Sequence, residues 1–407
     1  MEQQKRVRAE VKLPLILIHT PFGLTFFDKV AKTSAARAYA RLNTYIMPLI
    51  TTLAIFLIIG SLLVLFSNSA AREGVRGAGP QANLLIPGLN PYLPITYGWV
   101  ALVVTIIIHE AGHGIVARVH NIKVESTGIV LILGLPIGAF VNIERDELAR
   151  ASLKHKSAIM TAGPFNNMVL AGLSLLALYL VVSTLTPIPP APGIPKFAVM
   201  VVSVNEGSLA QSIGITPGST IVSVAGQQLQ QLEDLSNILR AHLGSTIPIT
   251  WQDHGKNITK EVTLPPSVEQ GHAVLGVGVT PVTSDPGVVL DRYKAAFSQN
   301  PLAILLPPTM QQGSVPYSDL MAPKYVSTLG PAFPAIANIL FWLWFINFNV
   351  GIFNALPIGP LDGGQLYGNI IESKARSKTI AKNANTILTV VMVIIVLASL
   401  VLPYVFF

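Results

Sequence analysis

The chain has 407 residues, of which 51% are hydrophobic, only 12% are charged and none is cysteine. A mean hydropathy of +0.56 excludes an ordinary soluble protein; a chain this long has room for several membrane crossings and one folded soluble domain. Without cysteine there are no disulfides, no cysteine-ligated zinc and no thiol nucleophile. The formal charge of +7 is placed beside the apolar runs, which sets topology and gives no reason to expect a nucleic-acid partner.

In chain order, residues 1–44 carry eight Lys or Arg and read as a cytoplasmic or interfacial segment. Within it, LPLILIHTPFGLTFF (13–27) is broken by Pro14, Pro21 and Gly23 and is expected to lie in the interface or dip into it. Residues 45–67 form a transmembrane anchor, retained because both the run and its basic flank are too long for a signal peptide. Residues 96–184 form a first membrane block, with spans over 96–119 and 159–184. Between them GIVLILGLPIGAFVNI (128–143), interrupted by Gly134, Pro136 and Gly138, reads as a re-entrant β-hairpin, against the alternative of a membrane-buried loop. A proline-rich linker (185–195) leads to a soluble stretch over 195–283, and 286–330 contains no full-length span. A span at 331–356 opens a second membrane block (331–370), and 386–407 forms a C-terminal transmembrane helix.

The fold class is thus a polytopic α-helical membrane protein with about five to six transmembrane helices, a re-entrant hairpin and a soluble insert. Five Lys or Arg in the 120–156 loop and four in 357–385, against two in 68–95, put the N-terminus and those two loops in the cytoplasm. The soluble insert and the C-terminus then face outward from a multi-pass cell-membrane protein.

The most informative stretch is ALVVTIIIHEAGHGIVARV (101–119), which carries His109, Glu110 and His113 in an apolar helix-length run. Ionisable residues in a span are a functional hypothesis by default. Positions i and i+4 share a helix face, so both imidazoles can hold one metal ion, with Glu110 beside them as a base for water. Ala111, Gly112 and Gly114 allow another backbone to come close.

Catalytic zinc takes three protein ligands and keeps one position open. His19, His120, His155, His242, His254 and His272 all stand in polar, interfacial or soluble contexts and read as ordinary residues. Among the acids, Asp362 lies in FNALPIGPLDGG, directly after the apolar run 339–352, where Pro357, Pro360, Gly363 and Gly364 forbid a regular helix. Irregular backbone at membrane depth is tolerated only where protein or a water-filled cavity satisfies it. Asp362 either caps a helix or completes the site; beside HExxH the ligand reading is preferred.

HEAGHG (109–114), AGPFNN (162–167) and NALPIGPLDGG (354–364), in this order on separate spans, resemble the site-2 protease family of intramembrane zinc metalloproteases. The resemblance covers about 96–370. It implies one Zn2+ held by His109, His113 and Asp362, with Glu110 as general base. For Asn167 and Asn354 it implies contact with substrate backbone or oxyanion, while hydrogen bonding between helices is the other reading. The hairpin is similar to the family's β element, which can take an unwound substrate as an added strand. Residues 201–240 of the insert resemble a PDZ domain, with Ser219 where Asp is usual after Gly218. That domain either captures a peptide or exposed C-terminus or excludes large substrates. The expected partners are single-span membrane proteins and the lipid bilayer.

The leading function is regulated intramembrane proteolysis. A peptidase with a glutamate third ligand is disfavoured because no later span carries such a Glu. A non-catalytic membrane adaptor working through the PDZ module is the alternative from another class.

Overall fold

A computed structural model of the chain describes residues 7–132, 135–189, 197–253, 256–267, 274–283, 285–299, 304–311 and 313–405. The hairpin tip at 133–134, the linker residues 190–196, and His254 and His272 lie outside the described residues. The chain divides into two compact units, residues 1–176 with 339–407, and residues 177–338.

The first unit opens with strands β1 (Arg8–Lys12) and β2 (Leu15–Thr20), followed by helix α1 (Leu24–Ala31). Helices α2 (Ser34–Ser67), α3 (Ser69–Ala78) and α4 (Ile95–Val119) come next. Then follow strands β3 (Val124–Ile132) and β4 (Leu135–Ile143), the short α5 (Arg145–Arg150) and the long α6 (Leu153–Ser183). Within 13–27 the Leu-Ile-Leu-Ile run forms β2, which lies between β1 and β3 in an antiparallel sheet ordered β1-β2-β3-β4. β-Branched and leucine side chains suit a pleated surface, and the pairing satisfies the backbone groups that an isolated interfacial segment would leave open. Over the expected 128–143, β3 and β4 pair antiparallel, beginning earlier, at Val124.

The second unit contains β5 (Thr186–Pro187), β6 (Phe197–Val204), α7 (Leu209–Ile213), β7 (Thr220–Val224) and β8 (Gln227–Gln228). It continues through α8 (Leu232–Ala241), β9 (Thr246–Asp253), β10 (Lys256–Thr263) and β11 (Val277–Thr283). Its sheet runs β10-β9-β7-β6-β11, with β8 paired to β7. Ile221, Ile249 and Trp251 from the strands and Leu235 and Leu239 from α8 form its core. Pro217-Gly218 makes the turn into β7, and Gly218 has φ +97°, a conformation that disfavours side chains. The stretch left unassigned at 286–330 contains α9 (Pro286–Gln299) and β12 (Tyr325–Val326), which pairs with β5. There the Tyr293 and Tyr317 hydroxyls meet at 2.7 Å, and Tyr325 donates to the Pro286 carbonyl at 2.8 Å.

Helix α10 (Phe333–Asn354) leads back into the first unit, which α11 (Asp362–Lys374) and α12 (Lys378–Val405) complete. Among the described residues five helices are long and apolar enough to cross a membrane: Ser34–Ser67, Ile95–Val119, Leu153–Ser183, Gly330–Asn354 and Lys378–Val405. The shortest have 25 residues; at about 1.5 Å per residue they exceed the roughly 30 Å hydrocarbon core. In membrane, helices associate through close packing of small residues, and Ala40, Ala117, Ala158, Ala162 and Ala355 are all buried where α2, α4, α6 and the 355–361 segment meet. The outer faces stay apolar and exposed, as on α12 at Ile387, Ile394 and Leu397. This is a multi-pass membrane protein.

Candidate metal centre

The HEAGHG segment lies wholly within α4, so the two imidazoles project from one face, their ring centroids 4.9 Å apart. Both side chains are buried. The third group arrives from far along the chain. After Asn354 the helix cannot continue through Pro357 and Pro360, and Asp362 becomes the first residue of α11. Local bonds shape the intervening turn: Leu361 N–H donates to the Ile358 carbonyl at 2.8 Å, and Gly359 N–H to Thr389 Oγ1 of α12 at 3.0 Å. Thr51 of α2 donates to the Ala355 carbonyl at 3.0 Å. The turn is therefore held by two spans rather than hanging as a loop.

This delivers Asp362 Oδ2 to 3.0 Å from His109 Nε2 and 3.3 Å from His113 Nε2. One ligand atom from each residue lies within 4.8 Å of the others, and no other such group occurs among the described residues. The chemistry of the donors fits a metal ion. His113 Nδ1 faces the Ile159 carbonyl at 2.7 Å. A carbonyl cannot donate, so Nδ1 carries a proton and Nε2 is the nitrogen left to meet a cation. It faces the buried Asp362 Oδ2, on which His109 Nε2 also converges. Two imidazole nitrogens and one carboxylate oxygen at one buried point form a donor set that suits a metal ion.

The carboxamide of Asn167, on α6, lies 3.0 Å from His109 Nδ1. Its two ends exchange by a half-turn, and the orientation with oxygen toward Nδ1–H leaves Nε2 of His109 to meet a cation as well. Gly163 explains how α6 passes so close. A Cβ there would collide with His113 Nε2 and lie 2.6 Å from His109 Nε2, filling the space in front of the ligating nitrogens. Gly112 is in van der Waals range of α6 in the same way; a Cβ on it would stand 2.7 Å from the Ala162 carbonyl.

Glu110 points toward the sheet: its Oε2 accepts the backbone N–H of Val141 in β4 at 3.0 Å. Asn354, the last residue of α10, donates to the Val350 carbonyl of the same helix at 3.0 Å. Of the six residues singled out from sequence, the structure brings together His109, His113, Asp362 and Asn167. Glu110 adjoins them in the chain, and Asn354 bonds within its helix.

Three supports were not read from the sequence. Asn166 donates to the Ile108 carbonyl at 2.7 Å and accepts from the Tyr39 hydroxyl at 2.6 Å. Asn43, fully buried, donates to the Ala158 carbonyl at 2.9 Å. Asn166 stands beside Asn167 in the AGPFNN motif, a signal that was available; Tyr39 and Asn43 precede the apolar run at 45–67 and had none. His19, His120 and His155 make other contacts. His19 bonds Ser126 at 3.0 Å, and His120 stacks on His155 with centroids 4.1 Å apart. Burial, with His155 and Lys154 beside it, pushes His120 down to about 4.

Comparison with known proteins agrees with this geometry. The profile of peptidase family M50 matches residues 97–399. An uncharacterized protein of Methanocaldococcus jannaschii is 24% identical over 352 residues, covering 85% of this chain and 75% of its own length. A Clostridium acetobutylicum protein named "putative zinc metalloprotease" is 27% identical over 305 residues, 68% of this chain and 86% of its own. A Campylobacter jejuni protein with the same kind of name is 27% identical over 341 residues, 72% of this chain and 88% of its own. With three quarters of its length matched by the family profile, the chain belongs to peptidase family M50, the site-2 protease family.

Proposed function

We propose that this protein is an intramembrane zinc metallopeptidase that hydrolyses peptide bonds within or near the spans of single-span membrane proteins. The observation that carries the reading is the convergence of two buried imidazole nitrogens and one carboxylate oxygen, from helices almost 250 residues apart in the chain, beside Glu110. His109, His113 and Asp362 would hold one Zn2+, which would supply Lewis acidity toward the scissile carbonyl. Glu110 would accept a proton from the attacking water and return it to the leaving amine. Asn167 is a positioning residue, orienting His109 rather than touching substrate.

A helical span hides its carbonyls in internal hydrogen bonds, so it must unwind before water can attack. The outer edge of β4, where Val141 N–H reaches Glu110, is where an unwound segment can add as a strand. Re-entry of the β3–β4 hairpin into the bilayer belongs to this reading. So do a cytoplasmic N-terminus and active-site end, and an exterior PDZ-like sheet domain at 197–283 that captures an exposed peptide terminus or limits substrate size.

The test compares wild type with Glu110→Gln and Asp362→Ala, each purified in detergent and assayed for bound zinc and for cleavage of a helical membrane substrate. Wild type and Glu110→Gln should each hold about one zinc, with cleavage reduced by a factor on the order of 10^2 or more in the variant; Asp362→Ala should lose both. Equal cleavage by Glu110→Gln would overturn the mechanism, and zinc binding without cleavage in any form would leave the adaptor reading in its place.

A further inference from the structure

A cavity of about 560 Å³ opens where α1, α2 and α4 end or begin. Asp28, Lys32, Arg37, Arg118, Lys123 and Glu147 supply its charges, four basic and two acidic. Both acids are already engaged. Asp28 pairs with Arg118 Nε at 3.1 Å, and Glu147 accepts the Lys123 backbone N–H at 2.6 Å. Arg118 also donates to the Val124 carbonyl at 3.1 Å, which fixes the floor. Among the described residues no carboxylate lies within ion-pair range of Lys32 or Arg37, while Lys123 Nζ is in loose ion pairs with Glu125 at 3.7 Å and Glu144 at 3.9 Å. Arg37 makes one long bond, 3.3 Å, to the Lys32 carbonyl. The first turn of α2 carries no acid either.

Depth identifies what can answer this charge. One span, α4, ends at Val119 on the cavity wall, and another, α2, starts beside it. The cavity therefore sits where a bilayer changes from hydrocarbon to headgroups. From Arg37 the ridge of α2 at four-residue steps runs through Arg41 to Tyr45 and Leu49, the last two exposed. Phe22 and Phe26, before and within α1, are exposed too, while Phe27 packs on Gly114 of α4. A ridge basic at one end and apolar below matches a molecule with an anionic head and hydrocarbon tails.

We propose that this cavity binds the phosphate-bearing headgroup of an anionic phospholipid through Lys32, Arg37 and Lys123, its acyl chains descending along the Tyr45–Leu49 face of α2. Because Phe27 packs on Gly114 and Asp28 pairs with Arg118, a seated lipid braces α1 against the HExxH helix. The proposal concerns binding alone and stands whether or not the protein cleaves peptides.

The test uses the full chain in neutral detergent, titrated with phosphatidylglycerol or with phosphatidylcholine, and retained lipid is counted by native mass spectrometry. Wild type should retain phosphatidylglycerol in preference to phosphatidylcholine. The Lys32→Ala/Arg37→Ala double variant should lose roughly tenfold or more of that preference. Lys32→Arg/Arg37→Lys should keep it, separating lost charge from lost fold, and Arg240→Ala/Lys256→Ala in the other unit should leave it unchanged. Equal retention of both lipids by wild type, or full retention by the double alanine variant, would overturn the proposal. Displacement of the lipid by millimolar inorganic phosphate would also overturn it, assigning the cavity to a soluble phosphate compound.

Discussion

At the scale of single residues the centre depends on what is missing as much as on what is present. Gly163 has no side chain where one would press on both ligating nitrogens. Gly163→Ala should therefore lower zinc affinity by at least tenfold, measured by competition with a chelating dye. Gly172→Ala on the same helix, with nothing within 4 Å of the added methyl, should leave it unchanged. Asn167 yields a second contrast. A partner on the far ring nitrogen of a ligating histidine commonly contributes 10–100-fold, roughly, in metal affinity. Asn167→Leu should lose about that much, while Asn167→Asp, still an acceptor for Nδ1–H, should retain most of it. Equal affinities for the two variants would make Asn167 a packing residue only. HExxH and the Asp beside a proline-broken span were legible from spacing and context alone. The orienting partners were not, because a main-chain carbonyl such as that of Ile159 has no signature in sequence.

At the scale of elements, α4 and β4 share one hydrogen bond that ties the candidate base to a strand edge. In an antiparallel pair, alternate residues turn both backbone groups to the same side. Val141 N–H goes to Glu110 rather than to β3, so Ala139, two residues back in a regular stretch of register, presents its groups to the same outer edge. An added peptide strand would then be aligned by the residue nearest Glu110. Val141→Pro removes only that N–H, and proline is tolerated at such outward edge positions. It should spread the cleaved bonds over neighbouring positions, as read by mass spectrometry of the products, while Val141→Ala keeps a single site. A single unchanged site in Val141→Pro would break the link between edge and register. The hairpin itself was legible from Gly-Leu-Pro between β-rich runs. The strands that join it, β1 and β2, were not, because Pro14 and Pro21 bracket the six residues of β2 and mask its alternation.

At the scale of the whole molecule, spans and their approximate limits follow from apolar length, since burial in lipid leaves few alternatives. Their ends were less legible: α2 begins at Ser34, eleven residues before the apolar run, because Thr33 caps it by accepting Ala36 N–H at 3.1 Å. All three ligands belong to the unit made of residues 1–176 and 339–407. Chelating the metal should thus raise amide exchange in α4 and α11 and leave β6, β7 and β9 unchanged, since a ligand at about 100 times its Kd stabilises only the fold that binds it, by about 2.7 kcal/mol. Equal loss of protection in both units would show that they unfold together.

The two halves of the centre stand on either side of residues 177–338, which leave the membrane unit inside α6 and return to it inside α10. Whatever lies between those two helices is a detour in a ring closed by the metal. Such a detour can change in length without moving His109, His113 or Asp362, because none of them belongs to it.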